Sequence, residues 1–270
     1  MTEQSFTLSD LLRVMERLRD PDSGCPWDVA QDFDTIAPST LEECYELVDA
    51  IESQDFEHVA EELGDVLFQV VFYTQMGAER GLFTFHDVVN TLTQKLVRRH
   101  PHVFAEGKIE GRVGEATTVD AVSGSWEAIK RRERAAKAQT GVLADVPVAL
   151  PALSRAQKVQ KRAAGVNFDW EDAPAVLAKL EEEVAELRGA LARKNAAEAE
   201  EELGDVLFSA VNLARHLKLD AEATLRRSTG KFEQRFEHME HAVPGGQEAL
   251  ARLSPEEWDS LWHAAKDADL

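Results

Sequence analysis

The sequence predicts an all-α protein built from two tandem helical units. Apolar residues recur every three or four positions along almost the whole chain, which is the spacing of one helix face. No segment alternates apolar and polar residues convincingly, so no strand is expected. The octapeptide EELGDVLF occurs twice, at 61–68 and at 201–208, and this identity indicates an internal duplication.

The first unit shows clear helical spacing in several stretches. Apolar residues line one helix face over 8–19, 41–51 and 63–71, so we expect a helix in each. Gly81 follows the last stretch and is suited to a helix stop. The first unit is therefore predicted to consist of helices joined by short turns.

The second unit follows an irregular segment, QTGVLADVPVALP, where prolines and a glycine interrupt the helical spacing. Beyond this segment, helices are predicted over 173–193, 197–217 and 221–241, and Pro174 is suited to a first turn. We therefore predict an N-terminal helical domain over residues 1–138, a linker over 139–152 and a C-terminal helical domain over 153–270.

The chain is strongly acidic, with 50 Asp and Glu residues against 30 Lys and Arg residues and a formal net charge of −20. This charge repels nucleic acid and anionic lipid, so neither is expected as a partner. No apolar stretch approaches the roughly 20 residues of a membrane span, and the first residues lack a signal-peptide pattern. We therefore expect a cytoplasmic protein whose two cysteines, Cys25 and Cys44, are reduced.

Each octapeptide belongs to a repeated set of four carboxylates. The set is Glu43, Glu46, Glu62 and Asp65 in the first unit and, 140 residues later, Glu183, Glu186, Glu202 and Asp205 in the second. Residues three apart share a helix face, so an antiparallel pair of helices would make each set converge. Convergent carboxylates repel one another unless a cation lies between them. An all-oxygen ligand set suits Mg²⁺ first and Mn²⁺ next.

The acidic residues can also be interpreted without a bound Mg²⁺ ion. A solvated acidic face accounts for any single ExxE pair on an acidic helix. Glu43 also fits a capping box that begins at Thr40, although Ser39 with Glu42 fits equally well and leaves Glu43 free. A di-iron carboxylate bundle is disfavoured, because it uses Glu-x-x-His pairs.

A group of basic and aromatic residues near the C-terminus also repeats. Its members are Lys231, Arg235, Trp262 and Lys266, and their counterparts 136 residues earlier are Lys95, Arg99, Trp126 and Lys130. Lys231 and Arg235 share a helix face and have no acidic residue three or four positions away, which argues against pairing within the helix. Binding of an anion and a solvated basic pair are the two alternatives that remain. Trp262 can stack on a base or pack in the core, and Lys266 would lie beside it.

The two units differ in two polar residues near the carboxylates. Lys179 lies one turn before Glu183 and has Ser39 as its counterpart, while Asn212 lies on the Asp205 face and has Phe72. The second unit therefore carries two extra polar groups near the predicted cation site.

The sequence closely resembles the MazG family of nucleoside triphosphate pyrophosphohydrolases. The resemblance rests on the doubled ExxE and ExxD pairs and on the strings CPWD, RRHPHVF, SWEAIK, AQKVQKR, VNLARH and KFEQRF, and it covers nearly the whole chain. Other all-α pyrophosphohydrolases, such as dimeric dUTPases, share the acidic pairs alone. The tandem arrangement with these flanking strings is specific to the MazG family.

The resemblance implies a homodimer that binds Mg²⁺ and hydrolyses nucleoside triphosphates to monophosphate and pyrophosphate, with loose base selectivity. It implies that the C-terminal carboxylates are catalytic and hold the metal. It also implies that Lys231, Arg235, Trp262 and Lys266 bind substrate, and the difference between the two units adds Lys179 and Asn212 to these substrate-binding residues. The alternative is a helical dimerisation module that binds nucleotide or metal without turnover.

Overall fold

The computed structural model describes residues 5–111, 118, 129, 133 and 141–268. Within these residues the chain forms helices, turns and loops and no β-strand. It divides into two compact units, Met1–Arg132 and Glu133–Leu270. The prediction of two tandem all-α units is confirmed, whereas the bounds of the linker stay a prediction.

The helices follow the periodicity of the sequence closely. The first unit contains α1 (Leu8–Leu18), α2 (Pro26–Ala30), α3 (Phe33–Glu52), α4 (Phe56–Glu79), α5 (Phe85–Arg99) and a 3₁₀ turn (Ala105–Gly107). The second unit contains α6 (Ala152–Ala164), α7 (Ala173–Arg193), α8 (Ala196–His216), α9 (Ala221–Ala242), α10 (Gly246–Leu250) and α11 (Pro255–Asp267).

The start of α3 differs from the sequence interpretation. Asp32 caps this helix by accepting hydrogen bonds from the backbone N–H groups of Asp34 and Thr35, and the helix continues through Pro38. Glu43 therefore lies in the interior of α3. Both capping boxes considered for Thr40 and Ser39 are wrong, because no helix begins there, and the side chain of Glu43 is free for the acidic set.

Each unit is organised around one long antiparallel helix hairpin. In the first unit α3 packs on α4 through a turn in which Gln54 adopts a left-handed conformation (φ 60°). In the second unit α7 packs on α8, and Lys194 (φ 57°) ends α7 in the same way before Asn195 caps α8. Two hairpins of matching length therefore bring the two acidic pairs of each unit face to face.

The core of the first unit lies on one side of its hairpin. Met15 from α1 and Ile36 from α3 pack with Val71, Phe72 and Met76 from α4, and all five are almost completely buried. Burial of a large side chain of this kind stabilises the fold by about 1.5–3 kcal/mol. Helix α1 therefore covers the back of the hairpin and leaves the acidic residues outside the apolar core.

Each hairpin also has a face, opposite the side that packs on the other helices of its unit, that remains apolar and exposed in the single chain. The residues concerned include Leu41, Tyr45, Leu63, Leu67 and Val70 in the first unit and Leu177, Val184, Leu203 and Leu207 in the second. Exposed apolar side chains grouped on one helix face are found at interaction surfaces in proteins. Among the described residues, no helix combines the length and the apolar character that crossing a membrane requires.

Candidate active site

The acidic cluster of the second unit lies across the α7–α8 hairpin. Glu183 and Glu186 from α7 meet Glu202 from α8, and one carboxylate oxygen of each lies within 4.8 Å of the others. Two oxygens on opposite sides of one Mg²⁺ ion are separated by about 4 Å. The three side chains could therefore hold a single cation after small rotations. The assignment of Glu183, Glu186, Glu202 and Asp205 as its ligands stays a prediction.

Burial and mutual repulsion act on this cluster together. Glu183 is only 7 % exposed. The pKa of Glu202 lies above its ordinary value, first because burial disfavours its charge and then because the charges of Glu186, Glu183 and Asp205 repel it. Asp205 is thus close enough to act on Glu202 electrostatically. A bound cation would reverse this repulsion.

Lys179 is bonded directly to the cluster. Its Nζ lies 2.9 Å from an oxygen of Glu183 and 2.9 Å from an oxygen of Glu182, both on α7. These hydrogen bonds, that of Glu182 first, hold the pKa of Lys179 above its ordinary value. The lysine that the sequence assigns to substrate therefore contacts one of the predicted metal ligands.

The first unit contains a matching cluster with different neighbours. Oxygens of Glu43, Glu46 and Glu62 lie within 4.8 Å of one another. Glu62 is 7 % exposed, one of its oxygens lies 2.7 Å from His58 Nε2, and the other is buried without a hydrogen-bond partner. An unpartnered buried carboxylate oxygen is costly, and a cation would satisfy it.

The charge of Glu43 is disfavoured for similar reasons. Burial raises the pKa of this carboxyl, and the charges of Asp65, Glu46 and Glu62 raise it further. A hydrogen bond from Gln69, with Nε2 at 3.5 Å, opposes this effect. The charge of Asp65 thus raises the pKa of Glu43 in the first cluster, as the charge of Asp205 raises that of Glu202 in the second. In both units the donors are oxygens, so both clusters fit a hard divalent cation.

Sequence reasoning missed His58 and Gln69 in the first unit. Gln69 also accepts a hydrogen bond from Thr40, whose hydroxyl lies 2.9 Å from that of Tyr73. His58 lies four residues before Glu62, and this spacing predicts that the two side chains share a helix face. The Gln69 contact joins α3 to α4 and depends on their packing, so no local pattern predicts it.

The predicted anion-binding residues gather around Trp262 on α11. The guanidinium of Arg235 lies 5.7 Å from the centre of the Trp262 ring, and Lys266 Nζ lies 5.9 Å from it. The ring of Phe232 packs against Trp262 with centroids 5.6 Å apart. Lys231 is exposed one turn before Arg235. The structure therefore brings Arg235 and Lys266 together at Trp262, through cation–π contacts.

The first-unit counterparts of these residues are described only in part. Lys95 and Arg99 lie on α5. Trp126 and Lys130 lie outside the described residues.

Asn212 belongs to a network that joins α8 to the segment before α7. Its side-chain oxygen accepts hydrogen bonds from Arg215, with Nη2 at 2.7 Å and Nε at 3.1 Å. Arg215 in turn forms an ion pair with Asp169, and His216 Nε2 lies 3.1 Å from the same carboxylate. The hydrogen bonds from Arg215, and then that from His216, hold the pKa of Asp169 below its ordinary value.

The duplicated hairpin and its acidic clusters define a class of protein, namely a tandem all-α protein with two candidate cation sites. Comparison with known families then identifies the family within this class. The model of the MazG nucleotide pyrophosphohydrolase domain matches residues 31–104 and again residues 172–240. Each match contains one complete set of four carboxylates.

Known proteins resemble the chain over its whole length. It is 47 % identical over 262 residues to the nucleoside triphosphate pyrophosphohydrolase of Escherichia coli (strain K12), covering 96 % of this chain and 97 % of that protein. It is 42 % identical over 269 residues to the nucleoside triphosphate pyrophosphohydrolase/pyrophosphatase MazG of Thermotoga maritima, covering 100 % and 99 %. The chain therefore belongs to the MazG family, and the resemblance inferred from the sequence is confirmed.

Proposed function

We propose that the protein hydrolyses nucleoside triphosphates to nucleoside monophosphate and pyrophosphate, mainly in the C-terminal unit. The observation that carries the proposal is the cluster of Glu183, Glu186 and Glu202 across the α7–α8 hairpin. Two relatives that match the chain almost end to end are named nucleoside triphosphate pyrophosphohydrolases. Their names support this substrate class, and loose base selectivity is proposed with it.

The carboxylates have two tasks in this proposal. Glu183, Glu186, Glu202 and Asp205 hold Mg²⁺, with Mn²⁺ as the second choice. When bound, the cation neutralises charge on the phosphate oxygens and lowers the pKa of coordinated water. A carboxylate oxygen that does not bind the cation accepts the proton of the attacking water. The oxygen-only donor set and the burial of Glu183 support this assignment.

The basic residues bind the phosphates. Lys179 Nζ lies 2.9 Å from an oxygen of Glu183. A cation that takes the Glu183 oxygen would release the Lys179 ammonium to a phosphate oxygen, because both cations compete for one carboxylate. Lys231, Arg235 and Lys266 hold the outer phosphates, so that the β- and γ-phosphates leave together as pyrophosphate.

The C-terminal unit is favoured because it carries two polar side chains, Lys179 and Asn212, that the first unit lacks. Lys179 contacts Glu183 there, whereas the counterpart in the first unit is Ser39. Phe72, the counterpart of Asn212, is completely buried in the first-unit core. Glu43, Glu46, Glu62 and Asp65 would then bind a cation in a unit that contributes little to turnover.

A homodimer in the cytoplasm completes the proposal. The exposed apolar faces of α7 and α8 carry leucine and valine side chains that a second copy of the chain would cover. Light scattering coupled to size exclusion should give twice the 30.0 kDa mass of one chain. A mass of one chain at micromolar concentration would contradict the dimer. The cytoplasmic location rests on the proposed substrates, which are nucleotides of the cell interior.

Product analysis tests the activity directly. The protein is incubated with each common nucleoside triphosphate and Mg²⁺, and the products are separated by anion exchange. We expect monophosphate and pyrophosphate in equal amounts, with none formed when EDTA is present. Diphosphate with orthophosphate would contradict the proposal, because the bond between the β- and γ-phosphates would then be the one cleaved.

A further inference from the structure

The carboxylate of Glu62 in the first unit has one satisfied oxygen and one unsatisfied oxygen. Glu62 is 7 % exposed, and one oxygen of each of Glu43, Glu46 and Glu62 lies within 4.8 Å of the others. Its Oε1 lies 2.7 Å from His58 Nε2, while Oε2 is buried and has no hydrogen-bond partner. A buried carboxylate oxygen without a partner is unfavourable, so the site is stabilised when a cation binds to it.

His58 places a nitrogen donor beside this acidic cluster. Its side chain lies one turn before Glu62 on α4 and is 46 % exposed, so the ring can rotate without disturbing the core. Two ligand atoms that each lie about 2.1 Å from one metal ion, at a right angle, are separated by about 3.0 Å. The 2.7 Å between Nε2 and Oε1 therefore needs only a small increase for both atoms to bind the same ion.

A hydrogen bond is the alternative interpretation of this contact. In that case the ring N–H of His58 donates to Glu62 and orients its carboxylate. Such a bond satisfies Oε1 and leaves Oε2 without a partner. A metal ion that binds the imidazole and the carboxylates satisfies both oxygens and also offsets the repulsion between the carboxylates, which favours coordination over orientation.

The second unit has different side chains around its cluster. The counterpart of His58, 140 residues later, is Glu198, whose carboxylate pairs with Arg193. The ammonium group of Lys179, which has no basic counterpart in the first unit, lies 2.9 Å from Glu183. At matching positions of the repeat, the first unit therefore offers an imidazole to a metal ion, whereas the second offers a carboxylate that is already paired.

We infer that the first-unit cluster binds a borderline transition-metal ion such as Zn²⁺ and that His58 Nε2 is one of its ligands. The carboxylate ligands are Glu43, Glu46 and Glu62. Carboxylates alone suit Mg²⁺, whereas an imidazole nitrogen favours Zn²⁺, Co²⁺ and related ions. The two halves of the chain therefore differ in the metal that they select, and this difference does not depend on hydrolysis in either unit.

Binding of Co²⁺ in the presence of excess Mg²⁺ tests the nitrogen ligand directly. Mg²⁺ then occupies the oxygen-only cluster of the second unit, and Co²⁺ binds where an imidazole is available. The ring protons of an imidazole bound to paramagnetic Co²⁺ are shifted far outside the ordinary range of proton NMR. With one equivalent of Co²⁺, the full chain without a histidine tag should show one set of such signals. The set should be absent from His58→Gln.

Isothermal titration distinguishes coordination by His58 from orientation of Glu62. If His58 is a ligand, His58→Gln should weaken Zn²⁺ binding at least about 10-fold and change Mg²⁺ binding about twofold or less. A residue that only orients Glu62 would weaken the binding of both ions to a similar extent. Glu198→Gln is the matched control, because it changes the same position of the other repeat. It should alter neither the Zn²⁺ affinity of the first unit nor the Co²⁺-shifted signals.

Absence of shifted imidazole signals from the wild type would overturn the inference, and so would signals that persist in His58→Gln. Equal weakening of Zn²⁺ and Mg²⁺ binding would overturn it as well. If His58→Gln does not fold, Glu62→Gln decides in the same way, because it removes the neighbouring ligand. Failure of the wild type to release pyrophosphate would refute the proposed function and leave the first-unit metal site standing.

Discussion

Lys179 lies 2.9 Å from Glu183 on the same helix face, and this contact places a basic group directly on a candidate cation site. In the first unit, His58 makes a comparable contact with Glu62 at 2.7 Å. Each unit therefore pairs one buried glutamate with a basic residue four positions earlier. The second unit uses a lysine, which keeps its charge at neutral pH, and the first uses a histidine.

Lys179→Met should tighten binding of Mg²⁺ by about fivefold, because the lysine no longer competes for Glu183. The same substitution should lower kcat/KM on the order of 10- to 100-fold, through loss of a phosphate contact. Isothermal titration with Mg²⁺ and pyrophosphate-release kinetics check the two effects. Glu182→Gln is the control, because it removes the exposed partner of Lys179 and leaves the Glu183 contact. Unchanged or weaker Mg²⁺ binding in Lys179→Met would refute the competition.

Glu202→Gln should raise Tm in EDTA at neutral pH. Burial, together with the charges of Glu186 and Glu183, raises the pKa of Glu202 above the ordinary 4.5 in the folded state. The folded protein then binds this proton more tightly than the unfolded chain, so stability falls as pH rises from 4.5 through the raised pKa.

The stabilisation by Glu202→Gln should therefore be complete above the raised pKa and nearly absent well below pH 4.5, where Glu202 is protonated in both states. Melting curves across this range check the sign. Glu181→Gln, at an exposed position on α7, should show no such pH dependence. A variant that melts below the wild type at neutral pH would contradict the assigned repulsion.

Mg²⁺ should raise the Tm of the wild type in proportion to the logarithm of its concentration, once this exceeds the dissociation constant. A variant with Gln at Glu43, Glu62, Glu183 and Glu202 should lose this response and melt at or above the cation-free wild type, since the repulsion is gone. Differential scanning fluorimetry measures both. An equal shift in the variant would show that the cation binds elsewhere.

The fold was predictable because its periodicity is local. Each predicted helix appears, with ends displaced by a few residues at most in the second unit, since Asp172, Pro174 and Asn195 mark helix starts in the sequence itself. The start of α3 was missed. A proline inside a helix is normally unfavourable, but the Asp32 cap and the burial of Ile36 in the core outweigh the cost at Pro38.

The acidic clusters were predictable because three-residue spacing and an antiparallel turn determine where their side chains meet. The contacts of α6 and of the segment before α7 with α8 were not predictable, because they join residues far apart in the chain. Gln160 reaches the backbone of Phe208, and Arg215 reaches Asp169. Such contacts arise from helix packing, and no single segment contains the pattern that specifies them.

The most direct measurement compares Glu202→Gln with Glu62→Gln, because both glutamates occupy the same place in the repeated EELGDVLF. Steady-state pyrophosphate release from ATP with saturating Mg²⁺ is measured for the two variants and the wild type. Glu202→Gln should lower the rate roughly 100-fold, as the loss of one electrostatic contact to the transition state does, and Glu62→Gln should keep most of the activity. Equal losses, or a larger loss from Glu62→Gln, would contradict the assignment of the reaction to the C-terminal unit.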